Sequence, residues 1–79
     1  MIRTFQGIQP TVAETAYIEE TAVVIGDVVI GEESSIWFHA VVRGDVNFIR
    51  IGSRTNIQDL TVVHVTHDTR PTSIGNDVT

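Results

Sequence analysis

The sequence predicts an all-β fold, a parallel solenoid wound from six-residue turns, on three observations. Val12, Ile18, Val24, Ile30, Ile36 and Val42 are β-branched aliphatics spaced six apart without a miss. A small or β-branched residue stands two positions before each of the last five, at Ala16, Ala22, Val28, Ser34 and Ala40, so every hexad turns one large and one small side chain inward. After a jump of nine the beat resumes at Ile51, Ile57 and Val63, and after a jump of eleven it returns at Ile74. An amphipathic helix repeats every 3.6 residues and an isolated strand stops after one run, so neither produces this pattern. A short period kept over most of a chain marks stacked turns that bury one continuous core.

Taken in order, each hexad reads as one short strand, and three hexads close a triangular coil of 18 residues. The dipeptides Ile30-Gly31, Ile51-Gly52 and Ile74-Gly75 fall on one side, separated by 21 and 23 residues. The excesses of three and five predict insertions extruded at a corner, the first between Val42 and Ile51, the second between Val63 and Ile74. The other two sides then stack as Ile18, Ile36, Ile57 and as Val24, Val42, Val63. Glycine and small polar residues are expected at the corners because they tolerate unusual backbone angles. Such a stack resembles the left-handed parallel β-helix of the hexapeptide-repeat proteins, and the handedness is taken from that resemblance.

One repeat system in 79 residues predicts a single β-helix domain over 1–79. The chain closes with Asn76-Asp77-Val78-Thr79, just after Ile74-Gly75 opens another coil, and no cap is expected after Gly75. It is therefore read as the N-terminal part of a longer domain, truncated before its C-terminal coils. The formal charge is −5, and the cations are the scattered arginines Arg3, Arg43, Arg50, Arg54 and Arg70, which argues against nucleic acid as a partner. The N-terminal residues carry no apolar core of signal-peptide length, and Gly26, Asp27 and Gly31 break the longest apolar stretches. No membrane association and a cytoplasmic location are the expectations. The absence of cysteine excludes disulfides and thiolate metal sites.

The interruptions of the beat carry the chemistry. Arg43 follows Val42 and His64 follows Val63, so the two occupy equivalent registers on neighbouring coils, roughly 5 Å apart. In order, Ile36-Trp37, Val41-Val42-Arg43-Gly44-Asp45, Ile51-Gly52, Asn56-Ile57-Gln58-Asp59 and His64-Val65-Thr66-His67 resemble the γ-class carbonic anhydrases. The resemblance runs from about Val12 onward. It implies a homotrimeric lyase with active sites between subunits, hydrating carbon dioxide to bicarbonate at a zinc ion, alternatively iron or cobalt, held by three histidines.

Residue by residue, the resemblance implies that His64 is a metal ligand. The other two family ligands lie in a Gly-His-x-x-x-x-His-Gly segment that this chain does not contain, so zinc is expected to bind this chain weakly or not at all. Arg43 and Asp45 match a pair that forms salt bridges at the subunit interface, and Asp59 matches the acidic partner across it. Gln58 matches the residue that hydrogen-bonds the metal-bound water, with Asn56 orienting its amide. A divalent metal lowers the pKa of bound water from 15.7 to about 7. The proton released then has to reach solvent, and the segment from His67 to Thr72 lacks the glutamate some family members use for this. His67 is the candidate replacement for proton transfer, since imidazole titrates near neutrality.

Other readings stand beside these. His64 alone reads as an edge histidine and His67 as a solvated loop residue. His39 reads as a corner residue, Trp37 and Phe38 as packing or trimer contacts. Asn56 and Gln58 also fit a stacked amide ladder on a solenoid face. Two further function classes share the architecture: a hexapeptide acyltransferase or acyl-CoA thioesterase using His64 as general base, and a non-catalytic β-helix assembly domain.

Overall fold

The structure is a computed structural model and describes residues 1–64 and 72–79. Its strands are β1 (Ile2–Arg3), β2 (Thr11–Val12), β3 (Tyr17–Ile18), β4 (Val23–Ile30), β5 (Ser35–Ile36), β6 (Val41–Ile51), β7 (Asn56–Ile57), β8 (Val62–His64) and β9 (Thr72–Ile74). Every pairing between them is parallel. They wind a three-sided prism, a parallel β-solenoid. Face one carries β1, the first halves of β4 and β6, and β8. Face two carries β2, the second halves of β4 and β6, and β9, while face three is the separate sheet β3-β5-β7.

The inward columns are those of the six-residue beat. Val24 pairs with Val42 and Val42 with Val63 on face one. Val12, Ile30, Ile51 and Ile74 stack on face two, and Ile18, Ile36 and Ile57 on face three. Val24, Ile36 and Val42 are wholly buried. Burying an aliphatic side chain of this size contributes about 1.5–3 kcal/mol, so the columns supply most of what holds the coils together. The small positions Ala22, Val28, Ser34 and Ala40 are buried beside them. Ile49 breaks the large-and-small rule: it occupies the small position before Ile51, pairs with Val28, and is wholly buried.

The first excess falls at the expected corner, where the four residues Asp45–Phe48 stand against Asp27 alone and the register shifts between Gly26 and Val28 of β4; it stays within the unbroken strand β6, Val41–Ile51, rather than leaving the sheet. Two further features differ from the six-residue pattern. An extra strand, β1, pairs Ile2 with Val24 ahead of the beat, reached through a turn in which Phe5 and Ile8 bridge each other. The corners are not reserved for glycine either. Glu33 (φ 58°), His39 (φ 56°), Arg54 (φ 54°), Leu60 (φ 64°) and Asp77 (φ 59°) take the left-handed conformation there.

The Ile-Gly glycines serve a different purpose, close approach between coils. A Cβ on Gly31 would lie 2.7 Å from the carbonyl carbon of Gly52, and one on Gly52 would lie 2.8 Å from that of Gly75. Beside them runs a ladder of buried hydroxyls. Ser34 Oγ donates to the Gly52 carbonyl (2.6 Å) and accepts from the Thr55 amide (3.0 Å). Thr55 Oγ1 repeats this one coil on, donating to the Gly75 carbonyl (2.6 Å) and accepting from the Val78 amide (3.3 Å). Residues after Gly75 therefore continue the stack, with the Asn56 amide donating to the Val78 carbonyl (2.7 Å).

Candidate functional site

On face one the outward residues between the inward aliphatics form a column in which Arg3 pairs with Ile25, Ile25 with Arg43 and Arg43 with His64. β8 is an edge strand, so the exposed His64 side chain stands on the rim of the sheet. Its carbonyl is held by Thr72 Oγ1 at 3.0 Å. Arg43 Nε reaches Asp45 Oδ2 at 3.2 Å, an ion pair closed within the chain. Half-exposed pairs of this kind add at most about 1 kcal/mol to stability, and this one chiefly fixes where the two side chains point. Gly44 between them is buried, and a Cβ there would sit 2.6 Å from the Asp27 carbonyl oxygen, so the Arg43-Gly44-Asp45 bend lies directly on the preceding coil.

Asn56 and Gln58 stand on face three, on either side of the inward Ile57. Both lie at the open cross-section of the last coil, beside the inward Ile57, Val63 and Ile74 and the terminal Val78 and Thr79. The Asn56 carboxamide oxygen accepts the Ser35 hydroxyl proton, and Ser35 Oγ accepts the indole N–H of Trp37 at 2.8 Å. Trp37 makes tilted ring contacts with Tyr17 and Phe38, with ring centroids 5.2 and 6.2 Å away. Asp59 is exposed at the corner joining faces three and one, next to Leu60.

The structure thus brings Arg43, Asp45 and His64 together on one face and Asn56 with Gln58 on the next, with Asp59 at the corner between them. His39 lies at the equivalent corner one coil earlier, its amide donating to Thr21 Oγ1 at 2.9 Å, as expected of a corner residue. His67 lies outside the described residues. Among the described residues no three His, Cys, Asp or Glu side chains are arranged to hold a metal. A catalytic zinc takes three protein ligands and an open position. The described part of a single chain therefore does not make a closed metal site.

Sequence reasoning missed a second cluster, where β4 and β6 turn from face one to face two. Arg50 Nη1 bonds Asp27 Oδ1 at 3.1 Å and the Ile49 carbonyl at 3.0 Å, and its guanidinium lies 4.5 Å from the centre of the Phe48 ring. Phe5, Ile8, Asp27, Asp45, Asn47 and Phe48 surround a cavity of about 220 Å³ there. The signal available was that Asp27 and Arg50 flank Val28 and Ile49, which share a register. A third charged corner pairs Arg54 with Asp77, Nε to Oδ1 at 2.8 Å, and Arg54 holds the Asp77 carboxyl below its ordinary range. Glu19, buried at another corner, is held low first by the Thr21 hydroxyl and also by the Thr21 amide at 2.8 Å.

Columns of β-branched residues at six-residue spacing, wound on three faces in parallel register, define a hexapeptide-repeat β-solenoid. Within that class the chain is homologous to the γ carbonic anhydrases and the hexapeptide transferases, over part of their length. It is 41% identical over 85 aligned residues to protein YrdA of Escherichia coli, covering all of this chain and 46% of that protein. It is 49% identical to gamma carbonic anhydrase 1, mitochondrial, of Arabidopsis thaliana, over 89% of this chain and 27% of the relative. A crystal structure from Bacillus cereus, described as a candidate acetyltransferase, superposes with a TM-score of 0.89 at 39% identity, covering 94% of this chain and 42% of that one. The chain therefore spans less than half the length of these relatives. No family model matches it.

Proposed function

We propose that this chain is part of a γ-type carbonic anhydrase, a metal-dependent enzyme that hydrates carbon dioxide to bicarbonate as a homotrimer. The observation that carries the reading is the register that sets His64 directly beside Arg43 at a sheet edge, one corner away from Asn56 and Gln58. In this reading His64 lends one imidazole nitrogen to a zinc ion, and the other ligands come from outside the described residues. The metal supplies an activated water at neutral pH. Gln58 and Asn56 are neutral amides and orient oxygen ligands without neutralising them. The Arg43–Asp45 pair holds the strand at the subunit junction, with Asp59 nearby. An exposed stretch of Phe38, Leu60 and Val62 beside that junction gives a second subunit apolar surface to cover.

The test compares this 79-residue chain with a version extended to the length of its relatives. The extended protein is expected to sediment as a trimer, carry about one zinc per subunit, and lose both zinc and carbon dioxide hydration on His64→Ala. The 79-residue chain alone is expected to retain little zinc on dialysis. A zinc-free extended protein, or hydration untouched by His64→Ala, ends this reading. The likeness to the Bacillus cereus structure supports a second one, acyl transfer from coenzyme A with His64 as general base. Acetyl-CoA turnover that is lost on His64→Ala, in a protein without hydratase activity, would select it.

A further inference from the structure

We propose that Arg50 is a positioning residue: by gripping Asp27 at the base of the bulge Asp45–Phe48, it sets where Asp45 holds the Arg43 guanidinium on the rim beside His64. The bulge starts straight after Gly44 and ends at Phe48, just before Ile49, and both of its feet meet the same residue of the preceding coil. At the first foot, a Cβ on Gly44 would lie 2.6 Å from the Asp27 carbonyl oxygen and 3.1 Å from Val28 Cγ2, so the backbone rests directly on that carbonyl. At the second, Arg50 Nη1 bonds the same carbonyl oxygen at 3.3 Å, Asp27 Oδ1 at 3.1 Å and the Ile49 carbonyl at 3.0 Å. A bulge whose two feet share one anchor is closed at its base.

The last residue of the bulge joins the same group, with Arg50 Cζ 4.5 Å from the centre of the Phe48 ring. A lysine could reach the acceptors, but its ammonium is a point charge without the planar surface that packs on an aromatic ring. Asp45 is the first residue of the bulge, one peptide bond from the Gly44 foot, and its Oδ2 takes Arg43 Nε at 3.2 Å. Half of the Arg43 side chain is exposed while Asp45 is the more enclosed partner, so the position of Asp45 decides where the guanidinium stands. Arg43 is in turn the register partner of His64. Arg50 and Asp27 are themselves about two-fifths exposed, so their ion pair adds little to global stability and its loss acts locally. The bearing on catalysis rests on the carbonic anhydrase reading of His64; the clasp does not.

Side-chain NMR and kinetics separate the two. In the 79-residue chain, Arg50→Met and Asp27→Ala are each expected to speed solvent exchange of the Arg43 Nε hydrogen at least threefold, toward the rate in Asp45→Asn. Arg50→Lys should fall between Arg50→Met and the unaltered chain. Trp37 is the sole tryptophan, so its single indole signal, unmoved in these variants, reports an intact fold. Arg54→Met opens an ion pair at another corner and is expected to leave the Arg43 signal as it was. In the protein extended to the length of its relatives, Arg50→Met is expected to lower kcat for carbon dioxide hydration at least threefold while zinc content stays the same. Arg43 exchange indifferent to Arg50→Met and Asp27→Ala, but faster in Asp45→Asn, overturns the proposal, and so does an undiminished kcat in zinc-loaded Arg50→Met. A zinc-free extended protein ends the carbonic anhydrase reading, while faster Arg43 exchange in Arg50→Met would still support the clasp.

Discussion

Two corners of the prism solve the same turning problem in opposite ways. Between faces two and three the chain turns with constant length in successive coils, and the left-handed residues are Glu33, Arg54 and Asp77, with Ser34 and Thr55 beside them bridging coils through their hydroxyls. Between faces one and two the length varies: Asp27 alone in β4 stands against the four residues Asp45–Phe48 in β6. Gly26 takes the positive φ there (80°), and Gly44 lies against Asp27. The constant corner is tied to the core by buried hydrogen bonds and tolerates almost any exposed side chain. The variable one depends on two glycines, and around it lie Arg43, Asp45, Phe48 and Arg50. Regular turns hold the stack together; the irregular turn carries the diverse chemistry.

The largest effect expected is on what both corners share. Ile36→Asp places a carboxylate in the wholly buried middle column and is expected to cost several kcal/mol, enough to abolish the cooperative urea transition. A folded, cooperative variant would mean that the columns are not the common support of the two corners. Next comes Gly26→Ala. A Cβ there meets the Gly44 carbonyl oxygen at 2.3 Å in a left-handed backbone, so a loss of about 3 kcal/mol is expected by chemical denaturation. If Gly26→Ala proved no worse than an alanine at Glu33, the contrast between the corners would fail.

Thr55→Val probes the constant corner. It strands the Gly75 carbonyl and the Val78 amide at once, and about 1–2 kcal/mol should be lost, with faster amide exchange at Val78. Glu33→Asn works in the other direction: the exposed Glu33 holds φ 58°, and an asparagine there is expected to add about 0.5 kcal/mol. The smallest effect concerns pH. The hydrogen bond from Arg54 holds the Asp77 carboxyl below its ordinary range, so its contribution is present above the unfolded-state pKa and fades as pH falls through the lowered folded-state pKa. Arg54→Ala should flatten this acid-side slope, measured as thermal midpoint against pH, and leave the neutral side with little change.

The columns were legible because each inward residue is β-branched and the count between them is unbroken, and even the three extra residues of the first insertion follow from the spacing of Ile30 and Ile51. The pairing of Arg43 with His64 came from the same arithmetic. What the sequence did not disclose needs three dimensions. Left-handed angles fall on Leu60 and His39 because the winding imposes them, whatever their own preference. Ile2 was invisible because the Phe5–Ile8 turn separates it from the beat. Ser35 and Trp37 gave no sign of a link to Asn56, about a full coil away in sequence, since only stacking brings a hydroxyl under a carboxamide.

The register shift between Gly26 and Val28 has one more consequence. Ile30 and Ile51 meet in register although three more residues pass through the corner in β6 than in β4. Length and alignment are therefore uncoupled at this point: chain can be let out or taken in there while every other position keeps its vertical neighbour. Such a corner is a seam along which descendants can diverge, gaining or losing residues beside Arg43 and His64 without refitting the rest of the garment.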